Sequence, residues 1–261
     1  MLKILLSNDD GIQSEGLRVL HDSLKGIARV FVIAPESNQS GSGCSITTKR
    51  PLCFEEVKEG FLSVNGTPAD CVYLGLNGLC PFFPDLVVSG INFGANLAED
   101  LSYSGTVGAA LEARGLAFPS IAISAAAFKQ PGSEKDIQPN FLTAGLVAKD
   151  LIQNIESINV DASTTLNVNV PNINYLDLRE ILVTKLGSWG PRNPPIKDFT
   201  SDGGDQFWIT HRDKIPLNDE GSDISALSNG SVSITPIYPN FGMDKINPNL
   251  SSWLKSFKKN E

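Results

Sequence analysis

The 261-residue sequence predicts an α/β fold in which a mostly parallel sheet is covered by helices on both faces, giving three layers. Three observations carry this expectation. Short, nearly unbroken apolar runs recur at 3–6, 30–33, 85–88 and 120–124, the texture of strands buried on both sides. Segments with helical spacing lie between them, as crossover connections require. Polar residues gather just after the strand ends, where a parallel sheet opens its ligand crevice.

Each element has its own local reason. Lys3, Ile4, Leu5 and Leu6 form the first strand, and Leu17, Leu20 and Leu24 share one face of the crossover helix over 16–24. After the strand at 30–33, Thr67 is placed to cap a helix, Pro68 suits its first position and Asp70 its positive end. That helix is expected to reach about Leu76. The strand at 85–88 is followed by a third helix that opens after Ser104-Gly105-Thr106 and stops near Gly115. The strand at 120–124 precedes a fourth helix over 140–155, where apolar positions 141, 142, 146, 147, 151 and 152 make an amphipathic stripe. One more core strand falls at 166–170.

Beyond Thr164 the texture changes. Segments 181–187 and 206–210, separated by Pro- and Gly-rich sequence, read as a projecting hairpin, with a strand at 231–237 and a terminal helix near Trp253 after it. Exposing Trp189, Phe207 and Trp208 would be costly, so 181–261 is expected to form an arm that grips a second subunit. A loose surface insertion is the alternative. The whole of 1–261 reads as one domain.

A formal net charge of −8 removes the basic footprint of a protein that wraps nucleic acid, so no stable nucleic-acid partner is expected. An anionic substrate would meet positive potential only locally, from a metal ion or a helix N-terminus. No apolar stretch reaches membrane length, and the opening run, which meets carboxylates at Asp9, is too short for a secretory leader. Cys44, Cys53, Cys71 and Cys80 show no zinc spacing and are expected as reduced thiols of a cytoplasmic protein. His21 and His211 are isolated and read as ordinary residues.

The strand ends hold the chemistry. The first runs into Ser7-Asn8-Asp9-Asp10-Gly11, the second into a loop containing Ser40, and the third into Ser89-Gly90-Ile91-Asn92. Adjacent carboxylates repel, and a divalent cation between loops relieves that repulsion, whereas Asn-Asp-Asp-Gly by itself is also an ordinary turn. Asp9, Asp10, Ser40 and Asn92 together offer only oxygen donors from three loops, a set that selects one hard divalent cation, Mg²⁺ or Mn²⁺ before Ca²⁺. Asn96 and the helix opening at Ser104, Gly105 and Thr106 then form an anion site, although a hydroxyl there can equally be a cap. The reaction these parts suggest is phosphoryl hydrolysis by metal-activated water, with Asp9, Asp10 and Asn96 as catalytic residues and either aspartate as proton acceptor.

These motifs resemble those of the SurE family, the survival-protein nucleotidases. The matching text is Ile4 to Gly11, Ala34-Pro35 with Ser40-Gly41, Gly66 to Val72, Pro84 to Asn92, Tyr103 to Val107, and a late match over Val232 to Pro236. The resemblance implies a Rossmann-like core and 5′- and 3′-nucleotidase activity on nucleoside monophosphates, with one divalent cation per subunit. It implies metal ligation by Asp9, Asp10, Ser40 and Asn92, phosphate binding by Asn96 and Ser104 to Thr106, and homodimers or homotetramers joined through C-terminal extensions. Ser14-Glu15-Gly16 and Glu36-Ser37 depart from the family's usual text beside the pocket, and Ser201 to Gly204 does so near the arm. A non-catalytic nucleotide sensor keeping the same crevice is the competing reading. A dinucleotide enzyme ranks below both, because the first loop has no Gly-x-Gly-x-x-Gly.

Overall fold

The computed structural model describes residues 1–113, 115–127, 138–191, 193–209 and 219–238. Thr210, His211 and the expected helix near Trp253 lie outside them. In chain order the elements are β1 (Leu2–Ser7), α1 (Glu15–Leu24), β2 (Ala28–Pro35), β3 (Phe54–Lys58), β4 (Phe61–Val64), α2 (Pro68–Leu74), β5 (Leu86–Phe93), α3 (Gly105–Leu111) and β6 (Ser120–Ala125). There follow α4 (Phe141–Gln153), β7 (Thr165–Val170), β8 (Ile181–Val183), β9 (Ile196–Phe199), β10 (Asp205–Trp208), α5 (Asp223–Ser228) and β11 (Val232–Ile237).

Nine strands form one sheet in the order β3-β4-β2-β1-β5-β6-β7-β11-β8. Its pairings are parallel except at β3–β4 and β7–β11. The α/β expectation therefore holds. From β1 the chain moves outward to β2 and β4, then returns to place β5 on the other side of β1. That reversal is a topological switch point, the position at which an open parallel sheet parts to admit a ligand.

The period-2 alternation of the strands divides the core. Ile4, Leu6, Val32, Val88 and Ile123 meet Leu17, Leu20 and Leu24 of α1 and Ala144, Val147 and Ala148 of α4. Leu5, Ile33 and Val87 face the opposite way, onto Cys71 and Val72 of α2 and Ala109 of α3. Burying each leucine of the α1 stripe contributes roughly 1.5–3 kcal/mol, and truncating one to alanine would cost about 2–5 kcal/mol once the cavity is counted.

Polar side chains cap the helix starts, as expected at Thr67. The Ser14 side chain accepts from the Leu17 N–H at the start of α1. Thr67 and Asp70 close a reciprocal capping box on α2, with Pro68 in the first turn. Asn140 caps α4 by accepting from the Thr143 N–H. α2 stops at Leu74, two residues short of expectation, and a π-type turn over Gly75–Leu79 carries the chain on.

The C-terminal region corrects one expectation. Residues 181–187 do not pair with 206–209: β8 joins the main sheet beside β11 in parallel, and the hairpin is formed by β9 with β10. The Thr200–Gly204 turn closes that hairpin, through the Thr200 N–H to Gly204 O at 2.8 Å and the Gly203 N–H to Thr200 O at 2.9 Å. Trp189 does not project either; it packs against the cluster of Leu97, Ala98 and Ile224. Phe207 and Trp208 are 61% and 62% exposed.

Candidate active site

The crevice at the switch point is assembled by backbone ties between loops distant in sequence. β1 and β5 run side by side to Ser7 and Ser89. Past Ser7, the Asn8 side-chain amide donates to Gly11 O at 3.1 Å and to Ser14 Oγ at 2.7 Å, which folds the loop back on the start of α1. Gly11 has φ +99°, and a Cβ there would sit 3.2 Å from the Ser37 carbonyl carbon, so only glycine lets the loop after β2 come this close. That second loop is bound to the first through the Ile12 N–H to Pro35 O at 2.8 Å and the Gln39 N–H to Asp9 O at 2.7 Å.

Asp9 is only 3% exposed. Its Oδ1 accepts from the Thr106 hydroxyl at 2.6 Å, across 97 residues of chain. Gly105 makes the approach possible, since a Cβ there would lie 2.8 Å from Asp9 Cβ and 2.7 Å from Ser42 Oγ. Burial raises the Asp9 carboxyl from 3.8 to about 6; the Thr106 hydroxyl opposes that shift and the Asp10 charge adds to it. Asp10 accepts from the Phe93 N–H at 3.0 Å and from Asn38 Nδ2 at 3.4 Å, and its carboxyl is also raised, chiefly by burial.

Hydrogen bonds link the three loops that carry the predicted ligands, Ser40 and Asn92 being joined to the aspartates through their neighbours. Asn38, which touches Asp10, accepts from the Ser40 N–H at 2.8 Å. Phe93, which donates to Asp10, follows Asn92, whose Nδ2 donates to Gly94 O at 2.8 Å. That bond orients the Asn92 amide, whose oxygen would be the donor to an ion. The donor set fits a hard divalent cation: two carboxylates with a hydroxyl and an amide oxygen, and no soft ligand. Asn8 Oδ1 and Ser42 Oγ, buried beside the aspartate loop, lack protein partners among the described residues, so the site also has spare oxygens. No cluster of three His, Cys, Asp or Glu occurs among the described residues. Two carboxylates would therefore match the charge of one dication.

The expected phosphate residues divide into two groups. Ser104 caps α3 by accepting from the Val107 N–H at 3.1 Å, and Thr106 turns its hydroxyl to Asp9. Asn96 is fixed to β6 and β7 and makes none of its hydrogen bonds to the aspartates. Its Nδ2 donates to Ser124 Oγ at 2.8 Å, its N–H to Asn169 Oδ1 at 2.8 Å, and its carbonyl accepts from Asn167 and Asn169, each at 2.9 Å.

Sequence reasoning missed this supporting layer. Asn167 and Asn169 are completely buried on β7, and their alternation in Thr-Leu-Asn-Val-Asn-Val was the available signal: amides on a buried strand must bind something. Asp223 was missed as well. Fully buried at the start of α5, it accepts from the N–H groups of Ala98, Gly187 and Ile224, each at 2.8 Å. It thereby ties the loop bearing Asn96 to the C-terminal segment, and Ala98 there has a left-handed φ of 51°.

The fold and this crevice define a doubly wound α/β protein with an oxygen-lined site at its switch point. Comparison with known proteins is specific. The profile of the family described as survival protein SurE matches residues 4–193. The chain is 41% identical over 254 residues to the 5′-nucleotidase SurE of Pseudomonas putida (strain W619), covering 97% of this chain and 99% of that one. It is 40% identical over 257 residues to the 5′-nucleotidase SurE of Pseudomonas syringae pv. syringae (strain B728a), covering 98% and 100%. The crystal structure of the SurE protein from Aquifex aeolicus superimposes with a TM-score of 0.82 at 37% identity, covering 97% and 100%. The chain belongs to the SurE family. No helix among the described residues is long and apolar enough to cross a membrane.

Proposed function

We propose that this protein is a divalent-metal-dependent nucleotidase that hydrolyses nucleoside 5′- and 3′-monophosphates to nucleoside and phosphate. The observation that carries this reading is the Asp9 carboxylate, buried beside Asp10 and held by Thr106 at the opening of α3. The likeness to relatives named 5′-nucleotidase, at about 40% identity over nearly full length, supports the substrate class.

Asp9, Asp10, Ser40 and Asn92 would hold the cation, Mg²⁺ or Mn²⁺. When bound, it supplies a Lewis acid for the phosphoryl group and lowers the pKa of water in the site. The residues do the remaining work. Asn96, pinned by Ser124, keeps a second amide hydrogen for a phosphoryl oxygen. The opening of α3 at Ser104, Gly105 and Thr106, where the Thr106 hydroxyl meets Asp9, would favour negative charge there. Either aspartate oxygen can take the proton of the attacking water. Direct attack needs no covalent intermediate, and no histidine lies beside a serine or cysteine in this constellation.

The protein is proposed to act in the cytoplasm as a homodimer or homotetramer. Support for the assembly comes from β9 and β10, whose Ile196, Phe199, Phe207 and Trp208 are all at least 60% exposed. To test the activity, the protein is stripped with a chelator and phosphate release from nucleoside monophosphates is followed as Mg²⁺ or Mn²⁺ is restored. Turnover should vanish on stripping and return on addition. Turnover that survives complete chelation would contradict the reading.

A further inference from the structure

A cleft of about 400 Å³ opens beside Asp10, within the range of roughly 300–1,000 Å³ usual for small-molecule sites. Asp10, Ser14, Glu15, Asn38, Ser40 and Gln138 line it on the polar side, Phe93 and Phe141 on the apolar side. The two rings meet edge to face, with centroids 6.3 Å apart. Phe141 is 9% exposed and fixed as the first residue of α4, where Asn140 caps the helix and also donates to Ile173 O at 3.2 Å. Phe93, by contrast, is 45% exposed. Its backbone N–H holds the Asp10 carboxylate and it follows Asn92, so an open aromatic ring stands within one residue of the proposed cation site.

We propose that Phe93, backed by Phe141, is the stacking platform for the nucleobase of the substrate and sets its specificity. This rests on the nucleotidase reading above. Of the polar side chains around the cleft, Asn38 is engaged with Asp10 and the Ser40 N–H, Ser14 with Asn8 and Leu17, and Glu15 with Arg18. The open face of the Phe93 ring is therefore the main contact offered to the base. Stacking tolerates every base and rewards the larger π surface. Purine monophosphates should accordingly be favoured over pyrimidine ones, with little distinction between adenine and guanine.

The test compares AMP with ribose 5-phosphate, which carries the phosphoryl ester but no base, in wild type, Phe93→Ala and Phe93→Trp. In Phe93→Ala the ratio of kcat/KM for AMP to that for ribose 5-phosphate should fall about tenfold, a loss within the range seen when a stacking aromatic is removed. Phe93→Trp should restore the ratio. Adenosine, which lacks the phosphate, should inhibit the wild type competitively and bind about tenfold more weakly to Phe93→Ala. An unchanged ratio in Phe93→Ala, or an equal loss with alanine and tryptophan, overturns the stacking role while leaving the nucleotidase reading intact. A wild type that hydrolyses neither ester with metal present overturns the nucleotidase reading itself, and this proposal with it.

Discussion

The switch-point crevice and the β9–β10 hairpin are built by opposite rules. In the crevice the main ties cross long stretches of chain: Asp9 is held by Thr106, Asp10 by Phe93, and Asn96 by Ser124 and Asn169. In the hairpin the ties are local. Asp198 accepts from Gln206 Nε2 at 3.0 Å and Trp208 Nε1 at 2.9 Å, while the aromatic rings themselves lie open. A site that must keep two carboxylates close in a buried loop needs support from several elements at once. A surface proposed to meet a second chain needs only a stable local frame.

The comparison can be broken most severely at Asp9. Asp9→Asn keeps an acceptor for the Thr106 hydroxyl but removes one of the two charges that would match a dication. We expect turnover to fall at least about a thousandfold, the rate equivalent of several kcal/mol of lost metal assistance. Stability should move the other way. A carboxyl raised from 3.8 to about 6 in the fold makes the native state bind more protons than the unfolded chain across that interval. Metal-free wild type should therefore lose about 2–3 kcal/mol as pH rises from 4 to 6 and stay at the lower level above it. Asp9→Asn should flatten that step and be the more stable protein at pH 7, as urea denaturation across the pH range would show.

Asp223 tests whether the C-terminal segment supports the crevice. Asp223→Ala strands three buried N–H groups and should cost about 3 kcal/mol, read as a lowered denaturation midpoint. Thr106→Val removes only the hydroxyl behind Asp9. Its effect should be smaller, a 10- to 100-fold loss of metal affinity with the fold retained, and Thr106→Ser should restore most of it. Smallest of all, Phe207→Ser with Trp208→Ser should change the stability of a single chain by no more than about 0.5 kcal/mol per site, because both rings are exposed. The same pair should shift the oligomer distribution in sedimentation; a large loss of monomer stability instead would show that the hairpin is part of the core.

What the sequence made legible follows the same division. The core strands announced themselves because strands buried on both faces must be apolar throughout, and the caps at Ser104 and Thr67 lie next to the helices they start. β3 escaped notice because Phe54–Lys58 is exposed along its whole length and carries no core signal, and β4 is only four residues long. The hairpin was assigned the wrong first strand because pairing between 181–187 and 206–210 cannot be told from pairing within 196–208 by composition alone. At the site, the residue types at the strand ends pointed to a shared ion. Thr106 was read as part of an anion site or as a cap, since nothing local reveals that its hydroxyl turns to an aspartate 97 positions earlier. Asp223 was hidden for the same reason.

The central claim is that oxygens of Asp9, Asp10, Ser40 and Asn92 share one ion. Its most direct test is a crystal soaked in Mn²⁺ and examined by anomalous scattering. One strong peak per chain, roughly 2.0–2.6 Å from oxygens of Asp9, Asp10 and Asn92 and absent in Asp9→Asn, is the predicted result. A fully soaked crystal with no peak in the crevice, or with manganese bound only elsewhere, would contradict it.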